Sequence, residues 1–304
     1  MSTVVSTANQ QSRPSLQFRK GDGVKVKEAF LYGLMRGVAY SIVLAVAFII
    51  FDIIIKGLPV LNWEFITAFP TQSGAAGGIL PAIVGTLSLV GLAVGVALPL
   101  GVASAIYLTE YAKQNRFTDM IRLAIVTLAG VPSIVFGLFG LALFVIVLGF
   151  GASILAGGLT LACMILPTII VATEESLRTI PQSLREGSLA LGATKWQTIC
   201  TNVLPYAVPG ILTGSILAIG RAAGETAPIL LTAAAFFLPA LPTSVFDQVM
   251  ALPYHLYILA TQHPDIAAVR PMQYGTALVL LLLVSGINIV AIFIRNHFRE
   301  KFRW

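Results

Sequence analysis

Long apolar runs constrain this chain more than any other feature of its sequence. A helix needs about 20 mainly apolar residues to cross the hydrocarbon core of a bilayer. Six runs approach or exceed that length, at residues 37–55, 79–108, 121–150, 154–172, 206–232 and 274–294. Only 11% of the residues are charged, against roughly 25% in a soluble domain. The sequence therefore predicts an all-α membrane protein with six transmembrane helices.

The runs at 79–108 and 121–150 are longer than one straight span requires, and both contain proline. We expect the extra length to be absorbed by tilt or by a kink. Pro132 lies near the middle of the run at 121–150. This run is compatible with one broken span or with two half-helices, and the sequence leaves both open.

Lysine and arginine lie almost entirely on one side of the predicted spans, which fixes the orientation by the positive-inside rule. With the N-terminus in the cytoplasm, only Lys56 and Arg270 fall outside. This predicts cytoplasmic tails at 1–36 and 297–304, a transmembrane permease domain at 37–296, a cytoplasmic loop at 173–205 and an outer loop at 235–273. The net charge of +6 is explained by cytoplasmic anchoring. Residues 1–29 are polar and are expected to be a flexible tail, not a signal peptide.

The cytoplasmic loop contains a mixed polar and apolar segment, E-G-S-L-A-L-G-A-T-K-W-Q-T-I-C-T-N-V-L-P at residues 186–205. Such a mixture is typical of a short helix at the membrane surface whose apolar side contacts another protein. The plainer interpretation is a solvated loop between spans.

This segment resembles the EAA loop of the type I ABC-importer permeases. Glu186, Gly192, Leu204 and Pro205 match its pattern, and small residues replace its two alanines. Asn202 stands where the pattern has isoleucine. The resemblance implies a type I importer permease fold and docking on an ATPase subunit. The predicted coupling residues are Glu186, Gly187, Ser188, Ala190, Leu191, Gly192 and Lys195.

Two charged residues interrupt the fifth apolar run. Arg221 lies about 22 Å along a helix that begins at the cytoplasmic surface, inside a hydrocarbon core about 30 Å thick. A charge there costs about 2.5–3.5 kcal/mol on the insertion scale. Glu225 follows four residues later, so the two side chains can pair on one helix face. The pair is either an internal salt bridge or, as we favour, a relay point for an anion, because arginine stays charged and its donors match oxyanions.

The segments around this pair resemble the phosphate-importer permeases of the PstA type. The matching stretches are G-G-I-L-P-A-I-V-G-T, A-I-Y-L-T-E-Y, V-P-S-I-V-F-G-L-F, I-L-A-I-G-R-A-A-G-E-T-A-P-I-L-L-T and M-A-L-P-Y. The resemblance implies that Arg221 and Glu225 serve phosphate passage; Thr226 and Ser133 are further candidate contacts. It also implies a bacterial inner-membrane location, a second permease (PstC type), two ATPase subunits (PstB type) and a periplasmic phosphate-binding protein (PstS type).

Several other functions have less support in the sequence. The chain contains no G-x-x-x-x-G-K-[ST] motif, so ATP and Mg²⁺ are expected on the partner ATPase and no cofactor in this chain. The expected role is a non-catalytic subunit. His255 and His263 could bind a metal in the outer loop, but surface histidines are far commoner. The alternatives are a permease for another oxyanion and a secondary transporter with Glu225 as proton carrier. The outer loop, with a short interfacial helix expected at 245–260, could receive a periplasmic partner or cover its own bundle.

Overall fold

The computed structural model describes residues 22–74 and 76–301. It divides into two compact units, Met1–Asp52 and Ile53–Trp304. The first unit contains most of helix α1, Asp22–Gly57. This helix begins inside the predicted tail 1–36, and the rest of that tail lies outside the described residues.

The second unit is built from helices, and its only strands within the described residues are two short ones. Strands β1 (Pro70–Thr71) and β2 (Ala76–Gly77) pair antiparallel. The helices are α2 (Trp63–Thr67), α3 (Leu80–Ile106), α4 (Arg116–Ala129), α5 (Ser133–Gly140), α6 (Ile154–Arg178), α7 (Gln182–Ala190), α8 (Lys195–Thr198), α9 (Leu204–Gly224), α10 (Ala227–Thr232), α11 (Leu252–Thr261) and α12 (Arg270–Lys301). Three π-helical segments, Tyr107–Tyr111, Leu141–Val147 and Ile199–Val203, adjoin α3, α5 and α8.

Helix α6 is the centre of the second unit and packs against α3, α9, α4 and α5. Its residues Leu161, Ile165 and Ile169 are at most 2% exposed. Small residues bring the neighbouring backbones close, as expected for helix packing in lipid. A Cβ at Gly101 of α3 would meet the side chain of Ile169, and one at Gly214 of α9 would meet Ala172.

Among the described residues, five helices are long and apolar enough to cross a membrane, and a sixth span results if the bent pair α4–α5 counts as one. The two parts of that pair are bent by 103°. Pro132 is the N-cap of α5, with a ψ of 139°. Proline favours a break here because it has no N–H to donate to the preceding turn and because its ring would clash with that turn. The run at 121–150 is therefore sharply broken.

The predicted single span at 206–232 is wrong in one respect. Helix α9 ends at Gly224, Glu225 adopts an extended conformation with ψ of 131°, and α10 begins at Ala227. The cause is Pro228, whose ring would clash with the carbonyl of Gly224 in a continuous helix. Arg221 and Glu225 therefore lie at a helix end and not within one helix.

The outer loop contacts the bundle at several points. The backbone N–H of Leu252 donates to Thr86 Oγ1 over 2.9 Å, and the N–H of Ile154 donates to the carbonyl of Asp247. The helix predicted at 245–260 is shorter in the structure, where α11 covers Leu252–Thr261. Residues before it form a turn in which Asp247 Oδ2 accepts from the N–H groups of Thr243 and Ser244, each over 2.8 Å. These hydrogen bonds hold the pKa of Asp247 below its ordinary value.

Candidate functional site

The ion pair predicted for the fifth apolar run forms, although helix α9 ends between its two residues. Arg221 Nε lies 3.3 Å from Glu225 Oε1, and the two side chains are 38% and 19% exposed. Thr213, Leu217 and Arg221 follow one another at four-residue intervals on an exposed face of α9. Within the described part of the second unit, the arginine therefore stands on an exposed face.

The ion pair retains capacity for a further ligand. Only Nε of Arg221 donates to Glu225, and no other acceptor for this guanidinium occurs among residues 22–74 and 76–301. The two terminal nitrogens can therefore donate to two oxygens of one oxyanion, the fork geometry in which arginine binds such groups most strongly. Glu225 balances the charge when no anion is present.

Two further predicted contacts, Thr226 and Ser133, do not touch the pair in the described contacts. Thr226 precedes α10, and its carbonyl accepts from Leu230 N over 3.0 Å. Ser133 begins α5, which packs against α10, where a Cβ at Gly137 would lie 3.0 Å from Cα of Pro228. No described contact joins Ser133 or Thr226 to Arg221, so their role in the pathway stays a prediction.

The predicted coupling segment forms two short helices, α7 and α8, joined by a turn at 191–194. Gly192 has φ of +86°, a left-handed conformation that glycine adopts without strain. This requirement explains the glycine of the EAA pattern. The apolar side chains at the turn project outward, with Leu191 91% and Trp196 60% exposed. Exposed too are the predicted residues Glu186, Gly187, Ala190, Gly192 and Lys195.

Ser188 is the one predicted coupling residue that points inward. It is 9% exposed, and its Oγ lies 3.0 Å from Thr198 Oγ1 and accepts from Asn202 Nδ2 over 3.0 Å. Ser188 and Asn202 are two of the positions at which the chain departs from the EAA pattern. The departures compensate each other, because the amide that replaces isoleucine binds the hydroxyl that replaces the methyl of alanine.

A buried ion pair joins the coupling segment to the end of α3, and sequence reasoning missed it. Arg185 Nη2 lies 2.8 Å from Glu110 Oε1, with side chains 12% and 9% exposed. Arg185 also donates to the carbonyls of Ile180 and Leu177 over 2.7 and 2.8 Å. The residues are 75 positions apart, so no local pattern could reveal the contact; the sequence showed only a cationic loop.

A second ion-pair group lies at the same end of α6. Arg122 Nε donates to Glu174 Oε1 over 3.1 Å, and its Nη2 donates to the carbonyl of Leu108 over 2.7 Å. Together with Arg185, this arginine ties the π-helical end of α3 to α4, α6 and α7. The coupling segment is thus connected by side-chain contacts to the ends of α3, α4 and α6.

Metal binding finds no support in the geometry of the outer loop. His255 is 3% exposed beneath the glycine turn at Gly74, and burial lowers its pKa to about 4. His263 Nδ1 lies in a local turn with Asp265. Within the described residues no group of three histidine, cysteine or acidic side chains is placed to hold a metal ion.

Comparison with known proteins places this geometry in context. Residues 97–304 match the family model described as "Binding-protein-dependent transport system inner membrane component". The chain is 35% identical over 271 residues to a probable ABC transporter permease protein, YqgI, of Bacillus subtilis, covering 84% of this chain and 91% of the relative. It is 41% identical over 221 residues to the phosphate transport system permease protein PstA 1 of Mycobacterium tuberculosis, covering 72% and 71%.

Solved structures share the fold at low sequence identity. A bacterial alginate ABC transporter crystallised with its alginate-bound periplasmic protein matches with a TM-score of 0.62 and 14% identity, covering 92% of this chain and 96% of that one. The inward-facing MetNI methionine ABC transporter matches with a TM-score of 0.56 and 18% identity, covering 73% and 94%. The architecture described above is that of importer permeases of this type.

Proposed function

The chain belongs to the family of binding-protein-dependent transport system inner membrane components, and we propose that it is the PstA-type permease subunit of an ATP-driven phosphate importer. The observation that carries the substrate assignment is the Arg221–Glu225 pair, which presents open guanidinium donors on an exposed face of α9. Relatives named as phosphate transport permeases support it. The alternative is the same type of permease for another oxyanion.

The pathway runs along the exposed face of α9, between this chain and a second permease of the PstC type. Arg221 binds the entering anion through its terminal nitrogens. Glu225, 3.3 Å from Arg221 Nε, is a fixed negative charge that opposes prolonged binding of a dianion. A conduit needs this balance, because a site must bind strongly enough to admit the ion and weakly enough to release it.

Transport is driven through the α7–α8 segment. Leu191 and Trp196 are exposed apolar side chains at the turn, suited to insert into a groove on an ATPase subunit of the PstB type. Two such ATPase subunits bind the ATP and Mg²⁺. Displacement of α7 is transmitted to the ends of α3 and α6 through Arg185, which contacts both.

The proposed location is the bacterial inner membrane with both described helix ends, the start of α1 and the end of α12, on the cytoplasmic side. Positive charge on that side supports this orientation. The outer loop then faces the periplasm, where a phosphate-binding protein of the PstS type delivers its ligand. The hydrogen bonds of this loop to α3 and α6 would transmit a displacement of the loop, caused by docking of the binding protein, to these two helices.

The test is phosphate uptake by the complete complex in proteoliposomes containing ATP. Arg221→Gln removes the charged fork, and we expect uptake to fall about 10- to 100-fold, the factor that corresponds to losing a hydrogen bond to a charged group. Arg299→Gln, an exposed arginine near the end of α12, is the matched control and should transport normally. Undiminished uptake by an assembled Arg221→Gln complex would show that the arginine has no role in passage.

A protonophore separates the proposal from a proton-coupled mechanism. If transport is driven by ATP, we expect phosphate uptake to continue when a protonophore abolishes the proton gradient at a fixed ATP concentration. Loss of uptake under those conditions would favour Glu225 as a proton carrier instead.

A further inference from the structure

A polar cavity lies away from the Arg221 face, at the base of the coupling segment. It has a volume of about 600 Å³ and is walled by the end of α6, the start of α7, α8 and the π-helical end of α3. The polar side chains in its wall include Thr109, Glu110, Arg178, Gln182, Arg185 and Lys195. Because α7 and α8 form part of this wall, a movement of these two helices relative to α3 and α6 would change the shape of the cavity.

The one carboxylate in this wall and two carbonyl groups beside it are bound by the same arginine. Glu110 Oε1 accepts from Arg185 Nε and Nη2 over 3.1 and 2.8 Å. The carbonyls of Leu177 and Ile180 accept from the same guanidinium. Glu110, the one carboxylate lining the cavity, is therefore neutralised by Arg185.

The donors, by contrast, remain available. No described residue accepts a hydrogen bond from Arg178, whose Nη2 lies 3.7 Å from Glu174 Oε1, and the side chain is 55% exposed. Lys195 Nζ lies 5.0 Å from the ring centre of Tyr111 and has no carboxylate partner among the described residues.

Helix α7 adds main-chain donors at the same place. Its N-cap is Pro181, which provides no side-chain cap, and no acidic residue occupies its first turn. The first N–H groups of a helix have no partner within the helix, and both Pro181 and Gln182 line the cavity. By comparison, α8 is closed by a capping box between Thr194 and Gln197.

We propose that this cavity binds a phosphate group, which bridges Arg178, Lys195 and the start of α7. A cavity that combines two cations, the main-chain N–H donors of a helix start and a carboxylate already paired with an arginine matches the chemistry of an oxyanion. The group is supplied by free inorganic phosphate or by an anionic lipid headgroup at the membrane surface. A bound phosphate group holds α6, α7 and α8 in one arrangement. The site is separate from the pathway, and its existence does not depend on which solute the chain transports.

Equilibrium binding of radiolabelled inorganic phosphate tests the site directly. The complete complex is placed in phosphatidylcholine nanodiscs without the binding protein, and Arg221→Gln is present throughout to remove the pathway contact. Adding Arg178→Gln should weaken binding about 10-fold or more, the factor for a lost charged hydrogen bond. Adding Arg116→Gln, an exposed arginine of α4 outside the cavity wall, should change nothing. The comparison between variants cancels the phosphate sites of the ATPase subunits.

Lys195→Gln is a second variant, which removes the other cation of the proposed bridge. It should also weaken phosphate binding, because Lys195 Nζ has no carboxylate partner in the described residues. Equal binding in all variants would overturn the proposal for free phosphate.

The lipid source is distinguished by repeating the measurements in phosphatidylglycerol nanodiscs. If a headgroup fills the cavity, phosphate binding there is absent, and phosphatidylglycerol raises the thermal stability of the Arg221→Gln complex but not of the complex that also carries Arg178→Gln. If free phosphate is the ligand, binding is the same in both lipids. If Arg178→Gln alters neither phosphate binding nor the lipid effect, the cavity is not a phosphate-group site.

Discussion

Replacing Ser188 by alanine and Asn202 by isoleucine, singly and together, tests whether the two departures from the EAA pattern compensate each other. Asn202 Nδ2 donates to Ser188 Oγ over 3.0 Å, and Ser188 also lies 3.0 Å from Thr198 Oγ1. Ser188 and Thr198 are 9% and 3% exposed. The three side chains form a small polar network on the inner side of the coupling segment.

The single substitutions should have unequal costs. Ser188→Ala leaves both the Asn202 amide and the Thr198 hydroxyl without a described partner, and an unpaired buried polar group costs about 1–3 kcal/mol. Asn202→Ile removes one neutral hydrogen bond, worth about 1 kcal/mol, while Ser188 keeps Thr198. In the double variant the isoleucine replaces an amide that has already lost its partner. The double variant should therefore cost no more than Ser188→Ala alone, a coupling of about 1 kcal/mol.

Thermal unfolding of the purified complex in detergent measures these differences. A change of 1 kcal/mol corresponds to roughly 2–4 °C in a domain of 150–250 residues and to a smaller shift in a longer chain, so melting temperatures must be measured to within about 0.5 °C to order the four proteins. ATPase stimulation by the phosphate-loaded binding protein, measured in parallel, reports whether the segment still couples. Independent sites add to within about 0.3–0.5 kcal/mol. Additive costs within that margin would refute the compensation.

Three further predictions follow from other contacts. Glu110→Gln leaves Arg185 uncompensated beside a buried site, so it should destabilise the complex by about 3–5 kcal/mol; Glu186→Gln, on the exposed side of α7, should leave the melting temperature unchanged, and equal melting temperatures for the two variants would refute the role of the pair. Gly85→Ala places a Cβ against the carbonyl of Met250 and should cost about 1–3 kcal/mol, whereas Gly91→Ala, with nothing within 4 Å, should be neutral or slightly stabilising; the reverse order would contradict the packing of the outer loop on α3. Burial lowers the pKa of His255 from 6.5 to about 4, so above pH 6.5 folded and unfolded forms are both neutral, and between pH 6.5 and 4 the unfolded form binds the extra proton; stability should fall by up to about 1.4 kcal/mol per pH unit in that window. His255→Gln should flatten this dependence, and an unchanged slope of melting temperature against pH would exclude His255 as its source.

The sequence predicted those structural features that are determined by residues close together in the chain. Apolar runs located the cores of α1, α3, α6 and α12, because burial in lipid demands a continuous apolar helix. The pairing of Arg221 with Glu225 followed from their spacing. The helix end beneath the pair could have been expected from Pro228, but a span of apolar residues on both sides concealed it.

Contacts between distant segments could not be predicted. Arg185 meets Glu110, and Arg122 meets Glu174, only because the ends of α3, α4, α6 and α7 converge. The sequence indicated their charges and the side of the membrane on which they lie, but not their partners. The same reason hid the hydrogen bond from Asn202, which the pattern alone showed as a mismatch.

The closeness of Arg221 and Glu225 along the chain also bears on how this segment enters the bilayer during biosynthesis. Both charges belong to one short stretch, and their side chains meet at 3.3 Å without help from any other helix. A salt bridge assembled from two spans would expose each charge to lipid until both spans had been inserted. Here the nascent segment carries its own counter-charge from the moment it leaves the insertion machinery, so Arg221 can be embedded before the rest of the bundle has folded around it.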